Sequence, residues 1–243
     1  MKLQSRTCGS PVGTVLRGRL PFAFALILWA SVLSANSAQT NRVVPVTTAV
    51  RVDVPASGNP WLAGMPAGTK EGKSNVAPNQ SPVLVNGLSL QGSVLAFRVN
   101  GQVSLNGDQK HLKHPDGDKG SMTQHLRRAT NGISDMKGPT SSLVGVFLNS
   151  SRPDGTPAPE TLDFTEQTKR DFERLEPKLK QVFFIGDGLT SGGKVQLVVP
   201  PSGASRLYLG TLVNRKWDDN AGAYHVIVSE HRNQVQRETT TAR

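Results

Sequence analysis

Cysteine is nearly missing from this chain: 243 residues contain one, Cys8. It falls in an N-terminal segment that reads as removable. The remaining chain is therefore expected to have no disulfide, no thiolate nucleophile and no cysteine-ligated zinc, so its stability must come from packing. Long apolar runs are missing too. Leu20 to Leu33, LPFAFALILWASVL, is shorter than the roughly 20 residues that a helix needs to cross a bilayer, and nothing later is a candidate. The five histidines, His111, His114, His125, His225 and His231, form no HExxH or comparable zinc spacing, and no GxSxG marks a nucleophile elbow. Paired carboxylates for glycoside hydrolysis lie far apart in a sequence, and nothing singles out a pair. The expectation is a protein that is not an enzyme.

What is present begins with that apolar run. A basic start leads into it, and SANSAQ follows, with Ala35 and Ser37 as the small residues that a signal peptidase needs. Residues 1–37 are thus expected to be a signal peptide, which implies a secreted or periplasmic protein with no membrane contact after cleavage. Lys2, Arg6, Arg17 and Arg19 lie in that segment and no acid does, so cleavage lowers the net charge from +10 to +6. An excess of that size does not by itself call for nucleic acid. The basic stretch 106–138, with HLKHPDGDKG and QHLRRA, has no interleaved aromatics for base stacking and carries acids as well. It is expected to be a solvated, mobile insertion outside the core.

Period-two alternation marks the structured part. Leu95, Phe97 and Val99 in Ser93 to Leu105 would share one strand face. Further strands are expected at Ser142 to Leu148, Gln181 to Ile185, Val195 to Val199, Arg206 to Gly210 and Ala223 to Val228, with His225 a face residue rather than a base. Pro60 to Pro82 is rich in Gly, Pro, Ser and Asn and reads as mostly loop. One surface helix is expected over Thr165 to Pro177, capped by Thr165 and stopped by Pro177. Many short strands between turn residues give an all-β sandwich occupying residues 52–229. Residues 38–51 read as a linker or a first edge strand, and residues 230–243 as a polar tail with too little apolar content to fold.

Two loops carry possible chemistry. GLTSGGK, Gly188 to Lys194, has the spacing of a phosphate-binding loop. Val195 stands where a hydroxyl would hold magnesium, however, and VQLVVPP continues as a strand instead of a helix. A glycine-rich hairpin turn is expected. WDDN, Trp217 to Asn220, crowds oxygen donors into one turn. Such side chains, with exposed backbone carbonyls, are what Ca²⁺ takes as ligands, and they are also common in plain turns.

The succession PWLAGMP, SPVLVNGLSL, PDG, NGIS, SLVGVFL, LDF, QVFFIGDGLT, VPPSGASRLYLG and WDDNAGAYHV resembles the secreted bacterial proteins related to the calcium-dependent galactose-binding lectin PA-IL, over about residues 52–228. The resemblance implies a jelly-roll-like β-sandwich of the galactose-binding type, with Ca²⁺ bridging to two sugar hydroxyls. Residue by residue, it implies side-chain metal ligands at Asp219 and Asn220, a backbone carbonyl from Lys216 and another at about Leu105. HPDG is similar to the lectin's sugar-contacting HPDQ, which implies His114 and Asp116 as sugar contacts and Gly117 as a lost one. Val213 stands where relatives carry an aspartate, with Asn214 beside it as a neutral donor to metal or sugar. Asp218 is placed to compensate in part. Trp217 would cover the apolar face of the sugar. The implied function is an exported carbohydrate-binding module for galactose-type sugars. The alternative is an extracellular structural or adhesion module on the same fold that has lost the metal site.

Overall fold

The computed structural model describes residues 38–240, with side chains over 43–235. The expected signal peptide and its cleavage site lie outside the described residues. The strands are β1 (Ala38–Pro55), β2 (Lys70–Glu71), β3 (Asn75–Val76), β4 (Val83–Val85), β5 (Val94–Ser104), β6 (Asp118–Gln124), β7 (Met136–Thr140), β8 (Leu143–Leu148), β9 (Leu162–Asp163), β10 (Arg174–Leu175), β11 (Val182–Phe184), β12 (Leu197–Val198), β13 (Arg206–Thr211) and β14 (Ala221–Thr240). A single helical turn, α1 (Gln167–Arg170), interrupts them.

Two sheets make the sandwich. One has the order β1-β14-β5-β12-β10, the other β11-β8-β13-β4. In β5 and β14 the alternation works as expected: Leu95, Phe97, Val103, Tyr224, Val226 and Val228 are buried in the same core as Leu143, Phe147, Phe183, Leu207 and Leu209 of the facing sheet. Burying each such side chain contributes about 1.5–3 kcal/mol. The intervening Arg98, Asn100, Gln102 and His225 face outward and are exposed. His225 is the face residue it was expected to be, with Nδ1 2.7 Å from Asp53 Oδ1.

The second sheet has a further layer on its far side. All six residues of β8 are buried, because Val144, Val146 and Leu148 point away from the sandwich core into a second cluster with Trp61, Ala63, Ile133, Met136, Phe164, Val182, Phe184, Leu212 and Trp217. A strand covered on both faces reads as an unbroken apolar run, as LVGVFL does. Gly145 is needed for close approach: a Cβ there would meet the ring of Phe183, which stacks on Phe147 at 5.2 Å and 17°.

Three expectations are corrected, and of the two readings of residues 38–51 the first edge strand holds. The 106–138 stretch is not an insertion outside the core. It carries β6, part of β7, and the fully buried Ile133, Met136, Ser134 and His125, and with β9 it forms a three-stranded sheet. Its burial depends on hydrogen-bonded polar groups, which hydropathy does not register.

The helix expected over Thr165 to Pro177 is only the one turn α1. Thr165 does not cap it, because its hydroxyl donates to Asp163 Oδ1 at 2.6 Å. Beyond the turn, Leu197 N donates to Glu173 O and Val199 N to Leu175 O, so pairing of β10 with β12 outweighs helix propensity.

Residues 38–51 are no linker but most of edge strand β1. The expected unfolded tail largely continues β14, because a strand paired with β1 satisfies its backbone without needing apolar side chains. GLTSGGK is the hairpin turn it was expected to be, closed by Thr190 N to Lys194 O and Gly193 N to Thr190 O at 2.8 Å each. Among the described residues no helix is long and apolar enough to cross a membrane.

Candidate functional site

The HPDG turn is built from below by Tyr224. Its ring lies in the sandwich core, and its hydroxyl is 2.9 Å from the His114 carbonyl, 2.9 Å from the Ser141 carbonyl and 3.3 Å from that of Lys113. Burial, and then the negative charge of Asp116, push the phenol well above its ordinary range, so Tyr224 is a fixed donor. Backbone bonds in both directions between Val103 and Lys113, 3.0 and 2.7 Å, tie the same loop to β5.

Gly117 closes the turn at φ +76°, where a Cβ would lie 2.6 Å from Thr140 O and 2.7 Å from Ser142 N. The side chain that the resemblance would place there has no room in this turn.

Above the turn lies an open cleft of about 540 Å³ lined by Asn100, Gln102, His114, Asp116 and Asp187, with Val99, Gly101 and Pro115 as its apolar part. Gln102 Nε2 lies 3.2 Å from His114 Nε2, which fixes the imidazole ring against β5. Asp116 Oδ1 accepts from Asp187 N at 3.0 Å, and its Oδ2 is 3.0 Å from Lys119 Nζ. Asp187 Oδ1 accepts from Leu189 N at 2.8 Å. Burial, with the charge of Asp116 as a lesser cause, raises the Asp187 carboxyl above its ordinary value, partly opposed by the Leu189 hydrogen bond and Lys119. The cleft thus offers amide, imidazole and carboxyl groups to a polyhydroxylated ligand.

The WDDN loop lies elsewhere. No residue of 213–220 lines that cleft, so the expected sugar contacts and the expected metal ligands are not brought together. Trp217 anchors the loop in the core, fully buried. Its indole Nε1 donates to Thr211 O at 3.0 Å, and its backbone N donates to Asn75 Oδ1 at 2.9 Å. The expectation that Trp217 covers a sugar face is therefore corrected, because a side chain with no exposed surface cannot stack on a ligand.

Asn214 is likewise structural. Its Nδ2 donates to Gln124 O at 3.1 Å, and its carbonyl accepts from Leu126 N at 2.9 Å. Neither contact engages its Oδ1, the atom a metal would take, and Asn214 does not line the cleft above the HPDG turn. Asp218 turns to Ser74 Oγ at 2.7 Å. Val213 is buried in the second core cluster and does not face the loop's oxygen donors.

What does converge is smaller. Asn106 N, in the 3-10 turn Leu105–Gly107, lies 3.4 Å from Asn220 Oδ1. Asp219 Oδ1 is buried with no hydrogen-bond partner, while its Oδ2 takes the Lys216 ammonium at 2.9 Å. That is a partial donor set for a hard cation, an orphaned carboxylate oxygen and an amide oxygen, with the Leu105 carbonyl already accepting from Asp108 N at 3.0 Å. It holds only one carboxylate, already bound to an ammonium. Among the described residues no three His, Cys, Asp or Glu gather as a metal group.

A third arrangement was not anticipated at all. His125 is fully buried and stacked on Trp61 at 4.0 Å and 15°, with Trp217 edge-on at 5.8 Å. Its Nδ1 lies 2.6 Å from Arg128 O and its Nε2 3.0 Å from Glu71 Oε1. Both ring nitrogens are thus held against acceptor oxygens, and the ring is enclosed between two indoles. Glu71 also takes the amides of Asn59 and Asn75 at 2.8 and 2.7 Å. Burial alone would raise its pKa, but His125 and the two amides outweigh burial and hold it below the ordinary value. Nothing in the sequence pairs Glu71 with His125, 54 residues apart. Asp187, in the GDG turn, was open to notice only as an acid between glycines.

No protein-family model matches the chain, and no curated protein matches it. The fold is an all-β sandwich.

Proposed function

We propose that this β-sandwich is a non-enzymatic, exported carbohydrate-binding module that takes a galactose-type sugar in the HPDG cleft. One observation carries the reading: Asn100, Gln102, His114, Asp116 and Asp187 line a single open cleft whose turn is held rigid by the Tyr224 hydroxyl. Shallow clefts with a few oriented polar groups suit sugar hydroxyls, and Val99 and Pro115 offer the small apolar surface a ring face needs. Asn100 and Gln102 would donate to sugar oxygens. His114 would offer its Nδ1 for a hydrogen bond, and Asp116 would accept.

Ca²⁺ belongs to this reading as a ligand of the WDDN loop, held by Asp219 and Asn220 with the Leu105 and Lys216 carbonyls. Away from the cleft it would stabilise the loop instead of bridging to the sugar. Because one carboxylate supplies the charge, affinity falls in the weak range of about 10⁻⁴ to 10⁻³ M. The Lys216 ammonium on Asp219 favours a second reading, a structural or adhesion module in which the loop has lost its metal.

Calorimetry of the full chain with methyl galactoside, with and without millimolar Ca²⁺, tests both. Sugar binding weakened at least fivefold by Gln102→Ala or His114→Ala supports the first reading. No heat with any neutral sugar, under either condition, sinks it. A thermal shift with Ca²⁺ that Asp219→Asn removes supports the metal, and no shift in the wild type favours the second reading. Val213→Asp, which would tighten Ca²⁺ were that side chain at the loop, should instead lower Tm by burying a carboxylate in the second core.

A further inference from the structure

Three loops meet beside the buried His125 and enclose a second cleft of about 520 Å³, lined by Glu71, Lys73, Ser74, Asn75, Leu126, Arg127, Arg215 and Lys216 among others. Each loop contributes a cation. Lys216 is occupied by Asp219, and Arg127 Nε stands 3.5 Å from Glu71 Oε1, a carboxylate already committed to His125, Asn59 and Asn75. Lys73 and Arg215 are exposed and make no ion pair or side-chain hydrogen bond among the described residues. The nearby acids are Glu71, Asp218 and Asp219. Four cationic side chains, Lys73, Arg127, Arg215 and Lys216, thus face three acids. Leu126, 58% exposed, is the one large apolar side chain on the wall.

We infer that this cleft binds an acidic saccharide, a sugar unit carrying a carboxylate or a sulfate. The guanidinium forks of Arg127 and Arg215 match an oxyanion bidentately, Lys73 adds a point charge, and Leu126 offers an aliphatic surface to the C–H face of a ring. The floor is preorganised: Trp217 and Asn75 fix the Arg215–Lys216 loop, and Asn214 ties it to Leu126, so little ordering opposes binding. Nucleic acid fits less well, because no aromatic side chain lines the cleft for a base to stack on. The saccharide body rests on the proposed function. The need for an anion rests on this cleft alone.

The test is calorimetry of the full chain at low and moderate salt against a galacturonate trisaccharide, a sulfated disaccharide, a neutral galactose disaccharide and a single-stranded DNA decamer. The expected result is binding of at least one acidic saccharide, weakened by about fivefold in each of Arg215→Gln and Lys73→Gln. Lys169→Gln, the same charge change on α1, should leave it unaltered. The carboxylate and sulfate arms identify the anion. Absence of binding by both acidic saccharides overturns the inference, whatever the neutral sugar does. Acidic binding without neutral binding supports the inference while the HPDG reading fails. DNA bound as tightly as the saccharides, or Lys169→Gln weakening binding as much as Arg215→Gln, overturns it in favour of a general positive field.

Discussion

Between the two sheets the core is assembled from aliphatic and phenyl side chains such as Leu95, Phe97, Phe147 and Leu209, whereas across β8 Trp61 and Trp217 enclose a histidine bound to a buried glutamate. The first core needs only shape and hydrophobicity, so conservative apolar exchanges there should be tolerated. The second is held by groups that are stable only as a set. Its polar groups satisfy one another inside it, and removing one member strands the others. Both candidate clefts hang on these cores, the HPDG cleft on Tyr224 in the first and the basic cleft on Trp217 and His125 in the second.

The sharpest way to set the cores against each other is truncation in each. Phe147→Ala should cost about 3–5 kcal/mol through transfer and cavity terms alone. Trp217→Ala should cost at least as much. It also deletes the indole donor to Thr211 O, and it should release the loop that carries Arg215 and Lys216. Urea denaturation gives both stabilities. If Trp217→Ala proved milder than Phe147→Ala, the second core would be a cover and not a structural unit.

Glu71→Gln changes little in shape but removes the buried carboxylate that Asn59, Asn75 and His125 share, and should cost at least about 2–3 kcal/mol through polar groups left unsatisfied. The native Glu71 carboxyl sits below its ordinary value of 4.5, so the unfolded chain takes up its proton at higher pH than the folded one. The stability Glu71 contributes is therefore complete above the ordinary value and is lost as pH falls through the lowered one. Melts between pH 3 and 6 should show an acid limb in the wild type that is shallower in Glu71→Gln. Equal limbs would mean that other carboxylates govern acid unfolding.

At Gly117 the HPDG turn depends on backbone freedom. Alanine there would combine a φ of +76° with a Cβ 2.6 Å from Thr140 O, and should cost about 1–3 kcal/mol. It should also impair neutral-sugar binding. Alanine tolerated with binding intact would show that the turn relaxes easily and that the cleft does not need its present geometry.

The first core was legible in sequence because β5, β13 and β14 alternate with period two, and β8 was legible as a buried run. The second was not. Its polar members, Asn59, Glu71, Asn75 and His125, look like loop residues one at a time, and only the fold brings them within hydrogen-bond distance. Thr165 and Pro177 were credible helix boundaries, yet the segment between them gave way to strand pairing that depends on Val195 to Val199 some twenty residues later. At the site, sequence placed His114 and Asp116 on a cleft but missed Gln102, Asn100 and Asp187, since which face of β5 lines a cleft is decided by the loop lying over it. Asp219 and Asn220 do meet the Leu105–Gly107 turn. Trp217, Asn214 and Val213 serve packing instead.

The smallest effect is expected at Lys194 of GLTSGGK, a sequence with the spacing of a phosphate-binding loop whose tip, Ser191 to Lys194, is exposed. Its amides are consumed locally: Thr190 N and Lys194 O close the hairpin, Lys194 N donates to Thr190 Oγ1 at 3.1 Å, and Ser191 N donates to Asp171 Oδ1 at 2.7 Å. A phosphate-binding loop needs such amides unpaired and aimed, together with a helix N-terminus, at the phosphate, whereas here Leu189 and Val195 bridge as strand partners. Lys194 reaches out to Glu173 on the surface, where an ion pair adds little to stability. Lys194→Ala should therefore leave Tm within error of the wild type, and neither protein should shift a fluorescent nucleotide analogue in the presence of Mg²⁺. A nucleotide signal present in the wild type and lost in Lys194→Ala would mean that the hairpin opens to bind phosphate, and that this surface, not only the two cores, carries chemistry.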